Sequence, residues 1–84
     1  MEHHEGKKKC DYGVQPLDGV MVRFNISNTD LVRHSKEQLT HKMVQKGRKG
    51  RRLTLSVKLK ILRALQTARP DETFSQQDLF NYHD

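Results

Sequence analysis

The 84-residue chain predicts a mostly α fold with one short β-strand, a small single domain in the order strand, helix, basic loop, helix, short helix. Residues 20–27 alternate apolar and polar side chains at period two, as a half-buried strand does. Residues 29–46 follow a capping-box-like start and residues 55–68 hold good helix formers throughout, which predicts two helices. Hydrophobic residues make up 33% of the chain and Trp is absent. One small core is all this composition supports, which excludes a two-domain enzyme with a deep cofactor cleft.

Taken in order, residues 1–18 hold three consecutive lysines, two histidines, two glycines and a proline. Such a composition cannot offset its ordering entropy, so a flexible N-terminal tail is expected, with the folded domain over 19–84. In the strand, Val20, Val22, Phe24 and Ile26 alternate with Met21, Arg23, Asn25 and Ser27. A lone strand leaves backbone groups unpaired, so it calls for a partner strand, and a homodimer is one way to supply it. Ser27-Asn28-Thr29-Asp30 reads as a capping-box start, with Ser27 or Asn28 as the cap. The helix 29–46 that follows places Val32, Leu39 and Met43 in a narrow stripe with Leu31 at its edge. A second cap pattern, Ser35-x-x-Gln38, would start it one or two turns later.

Gly47 and Gly50 punctuate Lys46-Gly-Arg-Lys-Gly-Arg-Arg52, which reads as an exposed basic loop, 46–52. Residues 53–61 then fit two periods. Leu53, Leu55, Val57, Leu59 and Ile61 alternate as a strand would. A helical wheel instead gathers Val57, Ile61, Ala64, Leu65 and Ala68, with Lys58 and Leu59 as misfits. Only the helix accommodates Leu62-Arg-Ala-Leu65, so a helix over 55–68 is favoured. Arg69-Pro70 ends it. Ser75-Gln-Gln-Asp78 opens a short helix, 75–82, whose Leu79, Phe80 and Tyr82 should dock on the preceding one.

The net charge of +6 conceals an asymmetry: residues 33–63 hold eleven Lys and Arg against the single acid Glu37. A block at +10 between mildly acidic ends favours a polyanion. Nucleic acid is the partner expected, DNA before RNA, in a regulatory or accessory role. Lys46, Arg48, Lys49, Arg51 and Arg52 would contact phosphates, supported by Lys42, Lys58, Lys60 and Arg63, and each neutralised phosphate would release counterions. Few aromatic residues lie near this patch, which argues against a base-stacking single-strand binder. The alternative is a non-enzymatic adaptor or inhibitor on an acidic protein surface, anchored by Phe74, Leu79, Phe80 and Tyr82. Arg51-Arg52-Leu53-Thr54 also has the form of a basophilic kinase site, and phosphate on Thr54 would weaken polyanion binding.

No catalytic constellation and no cofactor is expected. Cys10 is the only cysteine, so no intrachain disulfide can form, and no ordered base stands beside it in sequence. The glycines lack the Gly-Lys-Ser/Thr ending of a phosphate loop. Met1-Glu2-His3 could offer Cu(II) or Ni(II) a square-planar nitrogen set, but His3, His4 and Cys10 lack zinc-site spacing. His34 and His41, about two turns apart on one helix, are too distant to share an ion. The expected metal count is none. The N-terminus has no apolar region of a signal peptide, and no run approaches the ~20 apolar residues of a membrane span. An intracellular location follows, cytoplasmic or nuclear, and the Asn25-Ile26-Ser27 sequon is read as chance.

Locally, Gly50-Arg-Arg-Leu-Thr-Leu-Ser-Val-Lys-Leu-Lys-Ile-Leu-Arg-Ala-Leu65, followed by Phe74-Ser-Gln-Gln-Asp-Leu79, resembles the opening of some helix-turn-helix domains. Winged-helix repressors of the ferric-uptake type and transposase-derived DNA-binding regions begin similarly. The resemblance implies a DNA-binding helical domain. The chain departs from it after residue 68, where the connection is long and the last helix bears Asp78, so that helix is not a conventional recognition helix. Strand 20–27 followed by two helices also has the order of a ribbon-helix-helix dimer, with Arg23, Asn25 and Ser27 as outward readers.

Overall fold

The structure, a computed structural model, describes residues 12–82. Five helices run through the described residues: α1 (Pro16–Arg23), α2 (Asn28–His34), α3 (His41–Lys49), α4 (Leu55–Ala68) and α5 (Gln76–Leu79). No β-strand forms among them, so the expected class, with strand 20–27, is corrected to all-helical.

Pro16 sits in the first turn of α1, where its fixed φ suits a helix and its missing N–H costs nothing. From there Leu17, Val20, Met21 and Phe24 recur at helical spacing. Leu17 and Met21 are fully buried and Val20 and Phe24 partly so, whereas Val22 is 66% exposed. The alternation from Val20 to Ile26 overlaps this longer period, which is visible only when Leu17 is counted. Asn25, in the left-handed region at φ +57, ends the helix. Its N–H donates to Val22 O at 3.1 Å and that of Ile26 to Met21 O at 2.8 Å, the paired bonds of a Schellman turn. Arg23, Asn25 and Ser27 thus serve a helix end, a turn and a cap, and the ribbon-helix-helix arrangement and its strand-paired dimer lose their basis.

The single helix expected over 29–46 is two. Ser27 caps α2: its Oγ accepts from the Asp30 N–H, and Asp30 Oδ2 accepts from the Ser27 N–H, both at 3.0 Å. The helix stops at Ser35, whose Oγ accepts from the Glu37 N–H at 3.1 Å, a local bond that competes with helical continuation. Thr40 then opens α3 by accepting from the Met43 N–H at 3.1 Å. Burial explains the break. Leu31 and Val44 are both at 0% exposure, yet on one straight helix they would lie on opposite faces. Two helices can turn both inward.

The basic segment is also helical up to Lys49. Gly47 lies in the helix interior because a Cβ there would stand 3.2 Å from Ile61 Cδ1, Leu17 Cδ2 and Leu53 Cδ1. Its lack of a side chain lets α3 sit close to α1 and α4. Gly50, at φ +93, ends the helix. Thr54 caps α4, accepting from the Val57 N–H at 3.3 Å, and α4 turns Lys58, Ile61, Ala64 and Leu65 inward. α5 is shorter than the expected 75–82 because Phe80 turns extended. α4 packs on α2, α3 and α5, while α1 packs on α3 and α5.

Both ends of the described chain close over the segment after α3. Tyr12 and Tyr82 stack at 4.2 Å between ring centroids. Tyr12 N–H donates to Gly50 O at 2.8 Å and Gln15 N–H to Arg48 O at 3.0 Å. Gln15, 2% exposed, accepts from the Asn81 N–H at 2.8 Å. Residues 12–18, assigned by composition to the tail, are thus part of the fold; residues 1–11 lie outside the described residues. The Tyr82 hydroxyl accepts from the Leu53 N–H at 3.1 Å and donates to Arg51 O at 3.4 Å. Tyr82→Phe keeps the stack but leaves a buried N–H without its acceptor. It should cost about 1–3 kcal/mol in urea unfolding; an unchanged midpoint would mean that the hydroxyl contributes nothing.

Candidate nucleic-acid interface

The basic residues do not form one loop. α3 turns Val44 and Gly47 to the core, and helical spacing places Lys42, Lys46 and Lys49 on the opposite side at i, i+4 and i+7. All three are exposed, as are Arg51 and Arg52 beyond the Gly50 turn. None of these five side chains makes an ion pair among the described residues. No acidic residue lies between His41 and Leu55. The stripe covers about 10 Å of helix at 1.5 Å rise per residue.

Four other expected contacts stand apart from this face, and three of them are engaged within the fold. Arg48 points inward: its Nε donates to Asp18 Oδ1 at 2.6 Å and its Nη1 to Asn28 Oδ1 at 2.8 Å, tying α3 to α1 and α2. Arg63 forms a two-pronged pair with Glu37, at 2.6 and 2.7 Å. Lys58 is 1% exposed, with its Nζ 4.6 Å from the Tyr82 ring centroid and 5.8 Å from that of Phe80. Its misfit on the apolar wheel is resolved by burial against aromatic faces. Lys60 is half-buried and its charge acts on Glu37.

Leu79, Phe80 and Tyr82 belong to the core at 0%, 4% and 8% exposure, and Phe74 packs on its edge. Phe74 meets the Phe24 ring edge-on at 5.9 Å, and the Arg69 guanidinium lies 4.6 Å from the centroid of Phe24. A surface cleft of about 340 Å³ at the α1–α2 corner includes Val22, Ile26, Asp30 and Arg48. Its charged groups already serve the α2 cap and the bonds from Arg48 to Asp18 and Asn28. His34 and His41 are exposed on separate helices. Among the described residues no three His, Cys, Asp or Glu side chains are placed to share a metal ion, and no helix is long and apolar enough to cross a membrane. The His3 nitrogen set and Cys10 lie outside the described residues.

Sequence reasoning missed Asn28 and Gln45. Asn28 Nδ2 donates to Gln45 Oε1 at 2.9 Å across the α2–α3 gap, and no local pattern announces a bond between residues seventeen apart.

The carboxylates carry a pH consequence. Asp30 is held below its ordinary range by the Ser27 backbone and hydroxyl bonds, Glu37 by the Arg63 guanidinium, and Asp71 by Arg69. A carboxylate lowered in the folded state contributes stability that is complete above its unfolded pKa and lost as pH falls through the folded one. The contribution of these three carboxylates to the melting temperature should therefore be lost as pH falls through and below about 4. Glu37→Gln should flatten that acid limb, as read by circular dichroism melts between pH 7 and 2; an acid limb identical in the variant would contradict it.

No protein family, curated protein sequence or solved structure matches the chain.

Proposed function

We propose that this chain is a non-enzymatic, intracellular nucleic-acid-binding protein that lays α3 against duplex DNA in a regulatory or accessory role. The observation that carries the reading is the outward stripe Lys42, Lys46 and Lys49, continued by Arg51 and Arg52, with no acid among them. An α-helix with its side chains is 10–12 Å across, and the major groove of B-DNA is about 12 Å wide. A-form RNA has a major groove too narrow for such an element, α3 carries no aromatic residue, and the rings beside the exit turn, Tyr12 and Tyr82, are stacked on each other. DNA is therefore favoured over RNA. α2 and α3 stand in helix-turn-helix order, although the 35–40 connection is longer than the usual three or four residues.

Binding to an acidic protein surface is the rival. Its four aromatic and aliphatic anchors are used in or beside the core, which leaves that reading with charge alone. Fluorescence anisotropy with random duplex DNA, single-stranded RNA and heparin, titrated from low to physiological salt, separates the cases. Micromolar or tighter duplex binding with a steep salt slope is expected. Binding to heparin alone would reduce the activity to general polyanion affinity, and no binding at low salt would overturn the reading.

A further inference from the structure

A chain of side-chain hydrogen bonds runs from α1 to the exposed side of α3, and its chemistry fixes which way each amide faces. Arg48 Nε donates to Asp18 Oδ1 at 2.6 Å, and Nη1 donates to Asn28 at 2.8 Å. A guanidinium only donates, so the Asn28 atom facing it must be the carbonyl oxygen. The NH₂ group of Asn28 is then directed at Gln45, 2.9 Å away. Because that group only donates, the Gln45 atom receiving it must be Oε1. The Gln45 NH₂ is the remaining end of its amide. Gln45 is exposed, with Lys42 three residues before it and Lys49 four after, so it adjoins the basic stripe. Reversing either amide would set donor against donor.

We infer that Gln45 is the base-reading residue of α3 and that the relay Asp18–Arg48–Asn28 makes it read guanine; this rests on the DNA reading above. In the major groove guanine presents two adjacent acceptors, N7 and O6, which suit an NH₂ group. Adenine pairs an acceptor with an N6 donor, and satisfying both requires a glutamine with its oxygen available as well. Cytosine presents an N4 donor, and thymine a single O4 acceptor beside its methyl group, so only guanine offers the NH₂ group two acceptors. Asn28 is a positioning residue: it touches no base and acts through Gln45.

The test exploits a substitution that reverses the relay without touching DNA. In Asn28→Asp both side-chain oxygens accept. One keeps the Arg48 contact, and the other draws the Gln45 NH₂ inward, which turns Oε1 toward the groove. An acid in the first turn of α2 also suits the helix dipole, and circular dichroism confirms folding before binding is read. The wild type, Gln45→Ala and Asn28→Asp are each selected against a randomised duplex pool, and the retained DNA is sequenced. The wild type should enrich guanine at one position by about five-fold or more. Gln45→Ala should lose that preference, and Asn28→Asp should exchange it for adenine or cytosine.

A guanine preference that persists in either variant, or a wild type that retains duplexes with no base preference, overturns the reader while leaving DNA binding intact. A wild type that retains no duplex at all overturns the DNA reading, and the reader with it.

Discussion

Gly50→Ala is expected to be the most damaging single substitution in the described fold. At φ +93 an L-residue carries a left-handed penalty of roughly 1–2 kcal/mol. Its Cβ would also land on the Gly13 carbonyl, with Gly13 C and N at only 2.6 and 2.7 Å. Backbone cannot yield as the end of a side chain can. The Tyr12 N–H to Gly50 O bond at 2.8 Å holds the two strands of chain at this separation. The combined cost should reach about 3 kcal/mol, a large share of the 5–15 kcal/mol typical of a domain, and lower the melting temperature by about 12 °C or more. Gly13→Ala is the control. Gly13 also has positive φ, +80, but a Cβ there meets nothing within 4 Å. It should show the conformational penalty alone. Equal losses in the two variants would show that the close approach carries no cost.

The largest functional effect is expected from removing the α3 stripe. Lys42→Ala, Lys46→Ala and Lys49→Ala combined take three exposed cations from a helix that holds no acid, and alanine is an excellent helix former, so the fold should survive. Duplex affinity should drop on the order of 100-fold at low salt, and the salt slope should become shallower by about three units. Arg48→Ala and Arg63→Ala remove the same charge from side chains already bonded to Asp18 with Asn28 and to Glu37. Those variants should leave the slope unchanged. Arg48→Ala should instead cost about 1–3 kcal/mol of stability, because it leaves part-buried polar partners unsatisfied. An unchanged slope in the triple variant would remove α3 from the footprint; a shallower slope in Arg48→Ala would mean that this pair opens for phosphate.

What the sequence reveals about this fold depends on how far apart the deciding residues lie. Helix 55–68 is legible because Leu62-Arg-Ala-Leu65 fits only the helical period, and the Ser27–Asp30 cap because its four residues are contiguous. The positive block is legible from charge alone. The rest needs distant partners. Residues 29–46 have no proline or glycine to interrupt them before the second cap, and the break comes from the competing demands of Leu31 and Val44 to reach one core. Leu17 belongs to α1 only when Pro16 is taken as a helix start rather than the end of a tail. Arg48 and Arg63 look like their exposed neighbours until Asp18, thirty residues away, and Glu37, twenty-six away, are placed beside them. The proposed interface is accordingly narrower than the basic block, five cations on one helix face and its exit turn rather than nine.

The two ends of the described chain, meeting over Gly50–Leu53, make that exit turn the property of a cooperative unit. The amides of Gln15, Leu53 and Asn81 are bonded across this junction, so one local opening should expose all three to exchange with solvent together. In the opened form Arg51 and Arg52 keep their charge but lose the frame that holds their backbone. They would then meet phosphate as an unfolded basic peptide does, attracted without register, and must be ordered at the moment of binding. Docking of the ends performs that ordering in advance, so the tyrosine stack, although it need touch no phosphate, separates a shaped surface from a merely positive one.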